Sequence, residues 1–306
     1  MSNIINYGIL GAGHLGNYHA QQIQNISGVN LLGVFDVVPK NALQLSKNYN
    51  IKMFSSAKEL VAACDAVSIT TPASNHCSSA SLALKNNCNL FIEKPFTKNI
   101  KEAKKIIALK NTQNLKIQVG HIERFNSAFL AFLNTGPSPM FIECHRLCSF
   151  NERGLDVDVI LDLMIHDIDL CLLLIRSKIK RISAYGAAIV TSSIDMANAR
   201  IEFEKGQTVN LTASRISLKH MRQMRIFQKK SYSVIDFQSP SLNTWLSNKK
   251  GLLNGKSTNL IKTNALFEEL NSFIMSIRND LPIKVGAEEA LSALKVASKI
   301  QKKIEK

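Results

Sequence analysis

No run of apolar residues approaches the roughly 20 needed to cross a bilayer as a helix, so no spanning segment is expected. Met1 to Asn6 has neither a basic start nor an apolar core, and no secretory leader is expected. Six cysteines are present (Cys64, Cys77, Cys88, Cys144, Cys148 and Cys171), but none forms a C-x-x-C pair. That spacing argues against a zinc ribbon or a dithiol redox motif, and a reduced, cytoplasmic protein fits best. Cys144 and Cys148 fall in a stretch that reads as strand, so no metal site is expected there. No internal repeat is visible.

Acidic residues are also scarce, with 23 Asp and Glu against 38 Lys and Arg, a formal net charge of +15. An excess of that size can mark a nucleic-acid surface. Here the lysines are spread over the whole chain among many asparagines, and no nucleic acid or membrane partner is expected. The positive field favours an anionic small substrate. Apolar residues make up 45% of the 306, enough for two domains with sizeable cores.

The most informative stretch is Tyr7-Gly8-Ile9-Leu10-Gly11-Ala12-Gly13-His14-Leu15-Gly16. A short apolar strand enters G-x-G-x-x-G and then a helix. Gly11 makes the tight turn, Gly13 lets bare backbone approach a pyrophosphate, and Gly16 lets helix and strand pack closely. The helix N-terminus then offers free N–H groups and a favourable dipole. A second apolar run, 31–35, ends in Asp36, an acid placed to accept hydrogen bonds from ribose hydroxyls. NAD is therefore the expected cofactor. NADP is disfavoured, because Asp36 would repel a 2′-phosphate.

Residues 1–122 alternate strand patterns (5–10, 30–35, 66–71, 89–92, 116–120) with helical ones (14–26, 40–48, 57–63, 76–86, 100–112). This alternation predicts a Rossmann-type, doubly wound parallel sheet with ligands at the carboxyl ends of its strands. Gly11, Asp36, Thr71-Pro72, Glu93-Lys94-Pro95 and Gly120-His121 sit at those ends. Residues 123–306 read differently: a helix at 157–176, extended segments at 141–150, 179–190, 197–204, 207–217, 224–229 and 231–237, and closing helices at 264–279 and 286–304. Lys205-Gly206 marks a hairpin. The segment 239–262 is polar and reads as a mobile loop. The expected second domain is α+β with a large, mostly antiparallel sheet.

Two constellations carry chemistry. Glu93-Lys94-Pro95 ends the fourth strand, and the proline stops it there. In 162–167, Asp162 and His166 are four apart inside the most apolar helical stretch of the second half, so an α-helix puts them on one face. Charged groups in such a helix must be satisfied or functional. Asp167 and Asp169 point elsewhere and read as capping or pairing residues.

Taken together, G-I-L-G-A-G-H-L-G-N-Y-H at 8–19, T-P-A-S-N-H at 71–76, E-K-P at 93–95 and D-L-M-I-H-D at 162–167 resemble the Gfo/Idh/MocA family of nicotinamide-dependent oxidoreductases over nearly the whole chain. The resemblance implies a Rossmann domain followed by a substrate-binding and oligomerisation domain, assembled as a homodimer or homotetramer. It implies Lys94 and His166 as the catalytic pair, with Asp162 beside them at the substrate. It does not say which of Lys94 and His166 takes the proton. Gly11, Gly13, His14, Leu15, Gly16, Asp36, Thr71, Pro72, His76, Glu93 and Lys94 are the implied cofactor-binding residues. The family's helix often opens with Gly-Gly where this chain has Val159-Ile160-Leu161.

Within the family, G-H-I-E-R-F-N at 120–126 and the stretch at 214–227 resemble enzymes that oxidise the 3-hydroxyl of UDP-linked N-acetyl sugars. Arg124, Lys219, Arg222 and Arg225 are candidates to hold a diphosphate. The alternatives are a cyclitol or free-sugar dehydrogenase of the same family, a reductase of pyrrole or dicarboxylate substrates, and a non-catalytic NAD-binding regulator. The last has no need of Lys94, Asp162 and His166.

Overall fold

The computed structural model describes residues 4–112, 114–151, 156–248 and 252–305. Contacts group the chain into two compact units: Met1–His121 with Leu266–Leu291, and Ile122–Ala265 with Ser292–Lys306.

The first unit is a parallel sheet with helices between its strands. Its strands are β1 (Ile5–Leu10), β2 (Val29–Phe35), β3 (Lys52–Met53), β4 (Ala66–Ile69), β5 (Asn89–Ile92) and β6 (Ile117–Val119). The helices are α1 (His14–Ile23), α2 (Pro39–Tyr49), α3 (Ala57–Ala63), α4 (Ala73–Lys85) and α5 (Ile100–Lys110). The order β3-β2-β1-β4-β5-β6 is that of a dinucleotide-binding sheet, with its reversal between β1 and β4. Local signals fix the helix starts. Ser56 accepts from Glu59 N–H at the head of α3. At α5, Asn99 accepts from Glu102 N–H and returns a bond to the Glu102 carboxylate. Proline opens α2, and Asn50 closes it at φ 51°.

The second unit contains α6 (Ser127–Leu133), β7 (Pro139–Leu147), α7 (Ile165–Leu174), β8 (Ile179–Ala187), β9 (Met196–Phe203), β10 (Thr208–Ser214), β11 (Met221–Gln228), β12 (Ser231–Asp236), β13 (Ser241–Ser247) and β14 (Leu253–Asn259). Its eight strands lie in the order β14-β13-β12-β11-β7-β10-β9-β8, all antiparallel except β7 against β10. The expected hairpin at Lys205-Gly206 joins β9 to β10, with Gly206 at φ 90°.

Two expectations need correction. Segment 239–262 is not a loop: β13 and β14 pair in register from Ser241↔Asn259 to Ser247↔Leu253. Its polar residues reflect position at a sheet edge, where few side chains are buried. The helix expected over 157–176 is broken in character: Ile160–Met164 is a π turn, in which Ile165 N–H reaches back five residues to Ile160 O. A π turn changes which residues stack, so the i, i+4 spacing of Asp162 and His166 does not place them as an α-helix would.

The last two helices, α8 (Ala265–Arg278) and α9 (Ala287–Ile304), follow the edge strands. Leu270, Phe273 and Ile274 of α8 share a buried cluster with Tyr7, Ile9, Ile23, Val34 and Phe91. Phe273 meets Tyr7 and Phe91 edge-on, with ring centroids 6.5 and 5.9 Å apart. Val119 N–H also donates to Val285 O. Residues 266–291, assigned by linear order to the second domain, thus complete the first unit. Phe273→Ala should destabilise the fold by about 3–5 kcal/mol, the usual cost of emptying a buried aromatic site. Urea unfolding followed by circular dichroism reads this.

Candidate functional site

The glycine loop shows why each of its glycines is required. Gly11 sits at φ +102°, and a Cβ there would lie 2.8 Å from the Thr70–Thr71 backbone. A Cβ on Gly16 would lie 2.0 Å from Gly11 O, so α1 rests directly on the turn that follows β1. A Cβ on Gly13 would meet nothing within 4 Å. Nothing inside this unit explains Gly13, whereas the approach of a ligand does. Helix α1 has no side-chain cap and no acid in its first turn, so no side-chain group competes with an anion there. His14 and Leu15 are exposed on that turn, with His14 edge-on to Tyr18 at 4.4 Å.

Asp36 closes β2 with its carboxylate held on both oxygens. Ala12 N–H donates to Oδ2 at 2.6 Å and Val38 N–H to Oδ1 at 2.7 Å. The acid therefore ties the glycine loop to the start of α2. Each oxygen keeps a second lone pair for a ribose hydroxyl. Asp36, Gly13, Val38, Thr71, Pro72 and Ser78 line a cleft of about 590 Å³ at the carboxyl ends of the strands. Thr71 Oγ1, at the edge of that cleft, is buried without a hydrogen-bond partner. These features fit the adenosine and pyrophosphate portions of NAD.

His76, one of the expected cofactor-binding residues, has a side chain that acts as a brace: it is 1% exposed, with Nδ1 2.9 Å from Pro95 O and Nε2 2.9 Å from Thr71 O. It holds together the two strand-end loops that carry Thr71-Pro72 and Lys94-Pro95. Lys94 is half-buried, and the Lys94–Pro95 peptide is cis. Glu93 is buried and accepts from Lys94 N–H at 3.1 Å. Burial raises its carboxyl, but the hydrogen bond from His19 and the nearby Lys94 outweigh this and hold it below the usual range. His19, Ser68 and Tyr7, which continue this contact inward, were not singled out from the sequence. A histidine on the apolar side of α1 was the available signal.

In the second unit, Asp158 caps the segment that carries the catalytic candidates, accepting from the N–H groups of Ile160 and Leu161 at 3.0 Å. Asp162 lies half-buried inside the π turn, and His166 lies buried in the first turn of α7. Behind them runs a buried ion network. Arg146 donates Nε and Nη2 to Asp167 at 3.0 and 2.8 Å, and Nη1 to Glu123 at 2.7 Å. Burial alone would lower the Arg146 guanidinium, but Asp167 and Glu123 push it above the usual range. Arg124 donates Nε and Nη2 to Asp169 at 2.7 and 2.6 Å. Asn126 caps α6 and donates to Phe237 O. Glu123, Arg124 and Asn126 of the 120–126 motif thus build part of the scaffold around α7, with Asp167 and Asp169 as its anchors.

The four basic candidates divide accordingly. Arg124 is engaged by Asp169. Arg225 donates to Glu143 at 3.3 Å, on the sheet face opposite Arg222. Arg222 stands across from Arg146, facing the same side, and is exposed, as is Lys219 in the turn before β11. The half-buried thiol of Cys148 reports the surroundings of Arg222: burial and the Asp162 carboxylate raise it, while Arg222, Arg215 and Arg146 act in the opposite sense. Asp162 and the basic strand ends therefore share one neighbourhood. Among the described residues, no cluster of His, Cys, Asp and Glu suits a metal, and no helix is long and apolar enough to cross a membrane.

Residues 5–121 match the oxidoreductase family with an NAD-binding Rossmann fold, and residues 118–231 match the GFO/IDH/MocA C-terminal domain. The chain belongs to the Gfo/Idh/MocA oxidoreductase family. It is 37% identical over 283 residues to UDP-N-acetylglucosamine 3-dehydrogenase of Acidithiobacillus ferrooxidans, covering 90% of each chain. A solved structure of that enzyme superposes with a TM-score of 0.94 at 34% identity, covering 98% of both chains. Scyllo-inositol 2-dehydrogenase (NAD(+)) of Bacillus subtilis is more distant, at 25% identity over 71% of this chain and 69% of that one.

The two glycines make separable predictions. Gly13→Val should fold with near-native stability and lose NAD binding, because the new side chain fills only the space of the approaching phosphate. Gly16→Ala should destabilise the fold itself, because its Cβ collides with Gly11 O. Thermal unfolding and NAD titration by calorimetry distinguish the two.

Proposed function

We propose that this chain oxidises the 3-hydroxyl of a UDP-linked N-acetyl sugar to a ketone, with hydride passing to NAD. The observation that carries this reading is the 37% identity over 90% of both chains to a UDP-N-acetylglucosamine 3-dehydrogenase. The exposed Arg222, which shares the surroundings of Cys148 with Asp162, supports it, because a guanidinium binds a diphosphate.

NAD supplies the hydride acceptor when bound; the rest of the work falls to the chain's own side chains. His166 takes the hydroxyl proton as general base, a role suited to imidazole near neutral pH. Lys94 hydrogen-bonds the developing alkoxide and stabilises its charge. Asp162 orients the sugar. Gly11, Gly13, Gly16 and Asp36 hold the cofactor, with Asp36 favouring NAD over NADP because it would repel a 2′-phosphate. Arg124 serves the substrate side indirectly, through Asp169 and the placement of α7. We place the enzyme in the cytoplasm, as a homodimer or homotetramer. The surface for self-association is the sheet face on which Phe141, Phe227, Tyr232 and Trp245 form a continuous ladder, with centroids 5.5, 4.7 and 5.2 Å apart. Sedimentation velocity reads the assembly; a purely monomeric chain would overturn it.

Lys94→Ala and His166→Ala should each lower kcat by about 10²–10⁴-fold with NAD affinity nearly intact. Arg222→Ala should raise KM for the nucleotide sugar by roughly ten- to a hundredfold, corresponding to about 1.5–3 kcal/mol for a charged hydrogen bond. Absorbance of the reduced cofactor follows both. Turnover of free inositol or glucose without turnover of UDP-N-acetylglucosamine would overturn the substrate, as would failure of UDP to inhibit at millimolar concentration.

A further inference from the structure

Four elements of the first unit meet at a line of side chains that the proposed chemistry does not itself use. Tyr7 of β1, Ser68 of β4 and His19 of α1 are 0% exposed, and Glu93 at the end of β5 is 8% exposed. Tyr7 Oη lies 2.8 Å from Ser68 Oγ, Ser68 Oγ 2.7 Å from His19 Nδ1, and His19 Nε2 2.9 Å from Glu93 Oε1. The other carboxylate oxygen accepts from Lys94 N–H at 3.1 Å. We propose that Tyr7, Ser68 and His19 are positioning residues that fix the Glu93 carboxylate and, through it, the main chain of Lys94. This rests on the reading of Lys94 as a catalytic residue.

Hydrogen-bond accounting gives the line one direction. An ionised carboxylate only accepts, so His19 Nε2 donates to it. In the neutral ring Nδ1 then accepts from the Ser68 hydroxyl, whose oxygen accepts from the Tyr7 hydroxyl. Every donor has one acceptor in that arrangement. Reversing it would turn the Ser68 proton onto Tyr7 Oη and take from the Tyr7 hydroxyl its acceptor in a site closed to water.

The inner end excludes a proton conduit. Tyr7 is fully buried with its ring edge-on to Phe273, and burial pushes its phenol far above the ordinary range, so it keeps its proton. The line ends inside the core and has no exit there. What it can do is set geometry. Space around Glu93 is small: a Cβ on Gly120 would come within 3.0 Å of Oε2. On the far side of Lys94, His76 grips Pro95 O. Lys94 is thus held by Glu93 before it and by Pro95 after it. Removing the His19 donor leaves one oxygen of a buried carboxylate unpaired, and the carboxylate must turn or take a proton. Turning releases the Lys94 N–H, and protonation at Oε1 weakens Oε2 as its acceptor.

The test compares His19→Gln, whose amide can still donate to Glu93, with His19→Leu, which cannot. Ser68→Ala and Lys94→Ala run in parallel, all on the full chain with NAD and UDP-N-acetylglucosamine. His19→Leu should lower kcat by about tenfold or more, the scale expected for a small misplacement at the chemistry, with KM and NAD affinity unchanged. The primary isotope effect with substrate deuterated at the reacting carbon should rise as the chemical step becomes limiting. His19→Gln should stay within about threefold of the parent, since one donor replaces another. Ser68→Ala should shift kcat the same way by a smaller factor, and it stands in if His19→Leu does not fold. Parent-like kcat and isotope effect in a folded His19→Leu overturns the proposal. Parent-like values in Ser68→Ala do the same when His19→Leu fails to fold. Full activity in Lys94→Ala would instead remove Lys94 from the mechanism, whatever His19 does.

Discussion

The first unit depends on one close approach: α1 resting on the carbonyl of Gly11 without a side chain between them. At 2.0 Å, the virtual Cβ of Gly16 would occupy the same space as that oxygen. Only with α1 so close does His19 reach Ser68 and Glu93, which are 49 and 74 residues away in sequence. The same approach aims the uncapped N-terminus of α1 over the cleft at the strand ends. The free helix N-terminus at the cleft, the contact of His19 with Glu93 and the packing of the core therefore share a single steric requirement. Asp36 adds a second tie, bonding the glycine loop to α2 through two backbone N–H groups.

The second unit solves a different problem. Helix α7 presents acids at 167 and 169 to the interior, where an isolated charge is costly. Arg146 and Arg124 neutralise them in paired, planar contacts, and Glu123 completes the Arg146 site. Arginine suits this because its fork matches a carboxylate at two points. The π turn just before α7 then offers Asp162 at a half-buried position rather than inside the ion network. Scaffold charges and the acid proposed to meet substrate are kept on separate residues although they lie within one short stretch.

How much of this is legible without coordinates differs by residue. The strand–loop–helix at 5–16, Asp36 and the E-K-P triplet are local patterns, and local patterns report the backbone they need. The parallel sheet follows from alternation of period, and the antiparallel sheet from successive extended runs. The strands at 241–259 escape this logic. An edge hairpin buries little, so its composition matches a loop. The basic residues at 219–225 look alike in sequence, yet strand alternation sends Arg222 and Arg225 to opposite faces.

The sequence by itself determined the family, the nicotinamide cofactor and the two-part α/β architecture, because each rests on short motifs whose spacing is set by covalent geometry. Tertiary structure alone decided what the polar residues do. That Arg124 pairs with Asp169, that His76 braces two loops and that His19 faces Glu93 depend on partners 19 to 74 residues away. So does the membership of 266–291 in the first unit, where Phe273 fills the space beside Tyr7. A buried polar group must find its partner in space, and the chain's order does not encode that distance.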